Sequence, residues 1–254
     1  MEFVLEACVD SVESAQAAQA GGATRYELCA NLIIGGTTPD PFLFERVQAC
    51  CTPPVHVLIR PRFGDFLYTD EEFELMCRQA AWFAGHGVRA VVIGVLTAEG
   101  ELDRVRMARL IDAARSVQPD CKVTLHRAFD VCRDPFEALE AARRLGVDTI
   151  LTSGQRASCT EGADLLRALV AAGGDAPQIL IGAGVNADVI RALQPHTGAH
   201  AFHLSAKRTE DSRMAFRRAG VPMGLPGISE FEVWRCEEQA VRAARQALEA
   251  LCGS

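Results

Sequence analysis

A short pattern occurs twice near the start of the chain: Glu6-x-Cys8 and Glu27-x-Cys29 each set a carboxylate and a thiol two residues apart among apolar neighbours. Side chains alternate sides along an extended strand, so each pair shares one face. Other reactive types stand at comparable places. Arg60, Arg62 and Asp65 end or follow HVLIR; His126, Arg127 and Asp130 end or follow KVTLH; Ser153 closes TILTS; Gly182 and Gly184 lie in IGAGV; His203 and Ser205 lie in HAFHLSA. Arginine forks suit carboxylate or phosphate groups, and a histidine or glutamate of tuned pKa serves as general acid or base. If the chain is an enzyme, Glu6, Glu27, Arg60, Arg62, His126 and Asp130 are its candidate catalytic groups. Arg127, Ser153, Gly182, Gly184, His203 and Ser205 are the candidate substrate-binding groups. Such a set suits a lyase, isomerase or hydrolase acting on a small anion. The competing reading is an ion-pair network that only holds the fold together, since buried charges persist when paired.

The elements that must position these residues are eight short apolar segments: FVLEAC (3–8), RYELC (25–29), HVLIR (56–60), AVVIGVL (90–96), KVTLH (122–126), TILTS (149–153), QILIG (178–182) and HAFHLSA (200–206). Their starts fall 22 to 34 residues apart, the length of one strand–helix unit. Capping-box spacing marks helix starts at Asp10 with Glu13, Thr69 with Glu72, Asp134 with Glu137 and Ser229 with Glu232. Eight such units predict an α/β fold, a (β/α)8 barrel forming a single domain over residues 1–254. No G-x-G-x-x-G follows the first strand, which disfavours a doubly wound sheet. Barrel active sites lie at the C-terminal ends of the strands, where the polar residues cluster here. The glycines of 182–184 are expected to offer N–H groups to an anion. Arg60 and Arg62 are expected to face one ligand, in a single pocket with Glu6, Glu27 and His126. The final helix is expected from Ser229 to the end, the longest of the chain, with Trp234 packed in the core.

Composition narrows the function classes. Of 254 residues, 49% are hydrophobic and 23% charged, so the chain is globular rather than disordered. A net charge of −7 argues against a nucleic-acid partner. No apolar run approaches the length of a membrane span, and MEFVLEACVD lacks the basic start of a signal peptide, so a cytoplasmic protein is expected; a homo-oligomer (dimer or higher) is a separate expectation. Ten cysteines contain no C-x-x-C pair, and most are expected to be free thiols acting as small buried hydrophobes.

The blocks ELCANLIIGGTTPD (27–40), LIRPRFGDFLYTDEE (58–72), LHRAFDVCRDPFEALE (125–140), ILTSG (150–154) and HLSAKRTEDSRMAFR (203–217) together resemble the CutC family. The resemblance runs from about residue 2 to 225 and looks especially like the animal branch, described as copper-binding. It implies a TIM barrel, a role in copper homeostasis and Cu(I) as the bound ion. The family's two copper-site cysteines match Cys8 and Cys29, and soft thiolates prefer Cu(I). No histidine or methionine obviously completes such a site, although Glu6 and Glu27 are expected close below. Two departures stand out: IGAGV replaces a more glycine-rich run, and Phe63 replaces a usual glycine. The expected ligands are thus a copper ion or a small anion.

Overall fold

The computed structural model describes residues 3–174, 176–225 and 227–252. Eight parallel strands close into a barrel: β1 (Val4–Val9), β2 (Arg25–Leu28), β3 (Val55–Leu58), β4 (Ala90–Ile93), β5 (Lys122–Leu125), β6 (Thr149–Thr152), β7 (Gln178–Ile181) and β8 (Ala201–Leu204). Between them run α1 (Val12–Gly21), α2 (Pro41–Cys50), α3 (Asp70–Gly85), α4 (Arg104–Arg115), α5 (Pro135–Arg144), α6 (Ala163–Gly173) and α7 (Ala187–Thr197). The predicted barrel is therefore present.

Alternation along each strand divides the molecule into two chemistries. Leu5, Ala7 and Val9 of β1 point outward into the apolar layer beneath the helices and are fully buried. The opposite face of the strands fills the barrel. There Val4, Leu151, Leu180 and Ala201 form one apolar cluster, and Cys8, Cys29, Leu58 and Val92 another. Glu6, Glu27, His56 and His203 share that inward face.

Local signals explain most helix starts. Thr69 and Glu72 form a reciprocal capping box on α3, while Asp134 accepts from the amides of Phe136 and Glu137, with Pro135 at the first position of α5. Asn186 caps α7 in the same way. At α1 the cap is Ser11, accepting from the Ser14 amide, rather than Asp10.

The C-terminal expectation needs correction. Residues 232–236 are extended, not helical: β10 (Glu232–Cys236) pairs antiparallel with β9 (Lys207–Asp211) to form a ribbon after β8. The run Glu-Val-Trp-Arg-Cys carries an adjacent β-branched and aromatic pair, Val233 and Trp234, which favour a strand, and strand pairing overrides the apparent Ser229–Glu232 cap. Trp234 is half-buried in the ribbon, with the Lys207 ammonium 3.3 Å from its ring centroid. The last helix is only α8 (Glu238–Cys252), one residue shorter than α3. It docks between α1 and α7 and completes the outer ring. Its approach to α1 demands glycine: a Cβ on Gly21 would stand 2.6 Å from Val241 Cβ.

The IGAGV departure carries a conformational cost. Ala183 has φ = 72°, in the left-handed region where its Cβ is crowded. Replacing it with glycine relieves that strain but adds freedom to the unfolded chain. We expect Ala183→Gly to raise stability by a net ~0.5–1 kcal/mol, or about 1–4 °C in melting midpoint for a chain of this size. A lowered midpoint in a thermal scan would show that the loop tolerates alanine without strain.

Candidate metal centre

Register builds the site. β1 lies between β2 and β8, so Glu6 stands opposite Arg25 on one side and His203 on the other, while Cys8 stands opposite Glu27. Glu6 is 1% exposed and accepts hydrogen bonds from Arg25 Nε at 2.5 Å and His203 Nδ1 at 2.8 Å; His56 Nδ1 is 3.6 Å away. Burial opposes charge on Glu6, but Arg25, His203 and His56 outweigh it and hold the carboxyl well below the usual range. Burial lowers His56 to about 4, against the pull of Glu6, so it is neutral at pH 7.

One layer up, Cys8 donates from Sγ to Glu27 Oε2 at 3.2 Å and lies 3.7 Å from Cys29 Sγ. The neighbouring Cys29 sulfur, then burial and Glu27, push the Cys8 thiol up. Burial raises Glu27, and Glu6 adds to it against the pull of His203. Burial pulls His203 down, yet Glu27 and Glu6 carry it above its ordinary value. Its Nε2 is 3.9 Å from Glu27 Oε2. One ligand atom from each of Cys8, Glu27 and His203 lies within 4.8 Å of the others. The bond from His203 Nδ1 to Glu6 turns Nε2 toward this group, the carboxylate–histidine arrangement that orients metal-ligating imidazoles. His203, expected among substrate-binding groups, stands beside Cys8 and Glu27 in a group that could hold a metal ion.

The remaining candidates do not join this cluster as one pocket. Arg62 lies beyond the end of β3, where strand alternation no longer applies. Its guanidinium pairs with Glu72 at 2.7 Å and Asp65 at 3.1 Å and stacks on Tyr68, so it does not share a ligand-facing side with Arg60. Asp130 is saturated: it accepts from Arg127 Nε, Thr152 Oγ1, the hydroxyl and amide of Ser153, and the Gln155 amide. Arg127, Asp130 and Ser153 form a clasp tying the turn after β5 to the end of β6. The Gly182 amide donates to Thr152 O at 3.0 Å, inside the β6–β7 ladder, and is not free for an anion; Gly184 has φ = 85° in the following turn. Ser205 lines a narrow recess with Cys8, Ser14, Lys207, Trp234 and Cys236. Arg60 and His126 gather instead around Phe66: the Arg60 Cζ is 5.1 Å from that ring's centroid, and the His126 ring 4.9 Å.

Arg25 and His56 escape a reading focused on strand ends, because they lie at strand beginnings. Counting back by two from Glu27 and from Leu58 finds both.

The model of the CutC family matches residues 3–208. The chain belongs to the CutC family. CutC proteins of Vibrio vulnificus, Parabacteroides distasonis and Porphyromonas gingivalis are 43%, 42% and 40% identical to it, covering 91%, 96% and 100% of this chain and 92%, 99% and 100% of their own. The likeness is therefore not confined to the animal branch. A solved CutC structure from Streptococcus agalactiae, whose name refers to copper homeostasis, superposes with a TM-score of 0.74 at 26% identity, covering 80% of this chain and 99% of its own. Thiamine phosphate pyrophosphorylase from Pyrococcus furiosus shares the barrel alone, with a TM-score of 0.56 at 17% identity over 99% of this chain and 98% of that one. The matched region of this CutC chain contains Cys8, Glu27, Cys29 and His203. Among the described residues, no helix is long and apolar enough to cross a membrane.

Proposed function

We propose that this CutC-family chain binds Cu(I) as cargo through Cys8 and Cys29, in the cytoplasm, as part of copper homeostasis. The observation that carries the reading is the pair of buried thiols 3.7 Å apart on adjacent strands. Thiolate sulfur is the donor that selects a soft ion such as Cu(I). With metal–sulfur bonds of about 2.3 Å, sulfurs at this spacing subtend roughly 107° at a shared ion. That bent geometry leaves a place for a third donor, and Glu27 and His203 flank it.

The raised Cys8 pKa adds a requirement: the thiol is protonated until the ion displaces its proton. Affinity for Cu(I) should therefore climb with pH, by about tenfold per unit for each proton released.

Competition against a Cu(I) chelator under reducing conditions tests the proposal. Wild-type protein should take one equivalent of copper, and Cys8→Ser/Cys29→Ser should take none while keeping its circular dichroism spectrum. An unchanged affinity in the folded double variant rejects the site.

A further inference from the structure

A second constellation inside the barrel has no role in the thiol site. Arg60 is 9% exposed, and among the described residues no carboxylate lies within 4.0 Å of its guanidinium. Its Nη1 donates to the carbonyls of Gly35 and Gly36, at 3.2 and 3.1 Å, and Nη2 to that of Gly64 at 2.8 Å. Three of its five N–H groups are thus spoken for, and Nε is buried without a partner. Arg25, half-buried nearby, has a counter-charge where Arg60 has none, with Glu6 held against its Nε. Carbonyl dipoles solvate a guanidinium, but they do not neutralise it, and an uncompensated buried charge is costly.

The two polar groups beside it are in the same condition. Tyr68 feels the charge of Arg60, and the His126 ring and the Arg60 guanidinium both pack on Phe66; Tyr68 OH and His126 Nε2 are both buried without a hydrogen bond. The His126 tautomer follows from its neighbours. Nδ1 accepts from the Ala128 amide at 3.1 Å, so in the neutral ring the proton sits on Nε2. Burial, then the charge of Arg60, lower its pKa to about 3 and keep it neutral. Burial raises Tyr68 to about 12, so it keeps its proton too. Gly94 lets the His126 ring pack directly on the backbone and fixes its position, since a Cβ there would fall 2.5 Å from His126 Cε1.

Each of the three orphaned groups has a proton to donate, the guanidinium N–H and imidazole N–H as donors only and the phenol as a hydroxyl that can also accept. A small oxyanion accepts from all three and also neutralises Arg60, which a water molecule does not. We propose that Arg60, Tyr68 and His126 form a binding site for a small oxyanion, a carboxylate or phosphate group, separate from the thiols. The occupant is set by the unneutralised charge of Arg60 and the three protons free to be donated, and Arg62 has no part in it.

Calorimetry and thermal shift with inorganic phosphate and, separately, acetate test this at matched ionic strength against chloride. At least one anion should bind wild-type protein and raise its midpoint, since a ligand confined to the native state stabilises it. Response to phosphate alone assigns a phosphoryl group, and response to acetate alone a carboxylate. Arg60→Met should abolish the effect. Tyr68→Phe removes one hydroxyl and should weaken binding roughly ten- to hundredfold, the worth of one hydrogen bond to a charged partner. Cys8→Ser/Cys29→Ser should bind the anion as wild type does, so failure of the copper reading leaves this result standing. Absence of any effect beyond chloride in wild-type protein, or an equal effect in folded Tyr68→Phe, overturns the site.

Discussion

Glu6→Gln should destabilise the protein by about 3–5 kcal/mol, roughly 6–20 °C in melting midpoint, the largest single effect we expect. Glu6 is the one carboxylate bonded to both Arg25 and His203, and it is enclosed on every side. Glutamine keeps the shape but removes the charge, leaving a buried guanidinium without its counter-ion. A double-mutant cycle with Arg25→Met isolates the pair: the two changes together should cost clearly less than the sum of the single costs. The same substitution should weaken metal binding by about 10–100-fold, because His203 loses the acceptor that orients its ring. Denaturant titration gives the first number and chelator competition the second. A loss below about 1 kcal/mol would show that the interior tolerates the unpaired arginine, and the paired-charge account would fail.

The second large effect is an acid limb on stability that begins near pH 6.5. His126 and His56 have native pKa values lowered to about 3 and about 4, while the unfolded chain titrates near the ordinary histidine value of 6.5. Below 6.5 the unfolded state takes up protons that the native state refuses, so the stability these residues confer is complete at higher pH and drains as pH falls. Each contributes a slope of about 1.4 kcal/mol per pH unit until its native pKa is reached. His203, shifted upward, loses its contribution only as pH rises; Glu27, also raised, partly offsets the acid limb by binding its proton earlier in the native state. The difference between wild type and His126→Gln removes these common terms. Between pH 6 and 4 the variant's slope should be shallower by about 1.4 kcal/mol per unit. Parallel urea-derived stability curves would mean that His126 titrates freely in the native state.

What could be read from the residues follows from where periodicity holds. Within strands, period-two alternation correctly assigns Glu6 with Cys8 and Glu27 with Cys29 to one inward face, and the spacing of eight units correctly predicts a closed barrel. Beyond the strand ends alternation has no force. Arg62 and Asp130 could not be oriented from sequence, and each turns out to be held by loop partners. His203 joins Cys8 only through the closing β1–β8 pairing, which spans nearly the whole chain and leaves no local trace. Tyr68 lies in an irregular loop, where nothing in its neighbours announces a buried hydroxyl beside Arg60. The ribbon is hidden because a cap-like spacing stands in front of residues 232–236, whose strand state depends on pairing with residues 207–211 more than twenty positions earlier.

That ribbon bears on how such a protein can diversify. The donor atoms grouped with Cys8, those of Glu27 and His203, come from the barrel, within residues 3–208, whereas Trp234 and Cys236, which line the recess beside Cys8, come from the segment that follows. On the copper reading proposed above, retention of the ion and admission to it would be written in separate stretches of the chain. Mutational drift in the ribbon can retune who delivers cargo, or how fast it leaves, without disturbing the groups that grip it. Exchanging residues 207–236 between relatives would transplant exchange kinetics while equilibrium affinity stays with the recipient barrel.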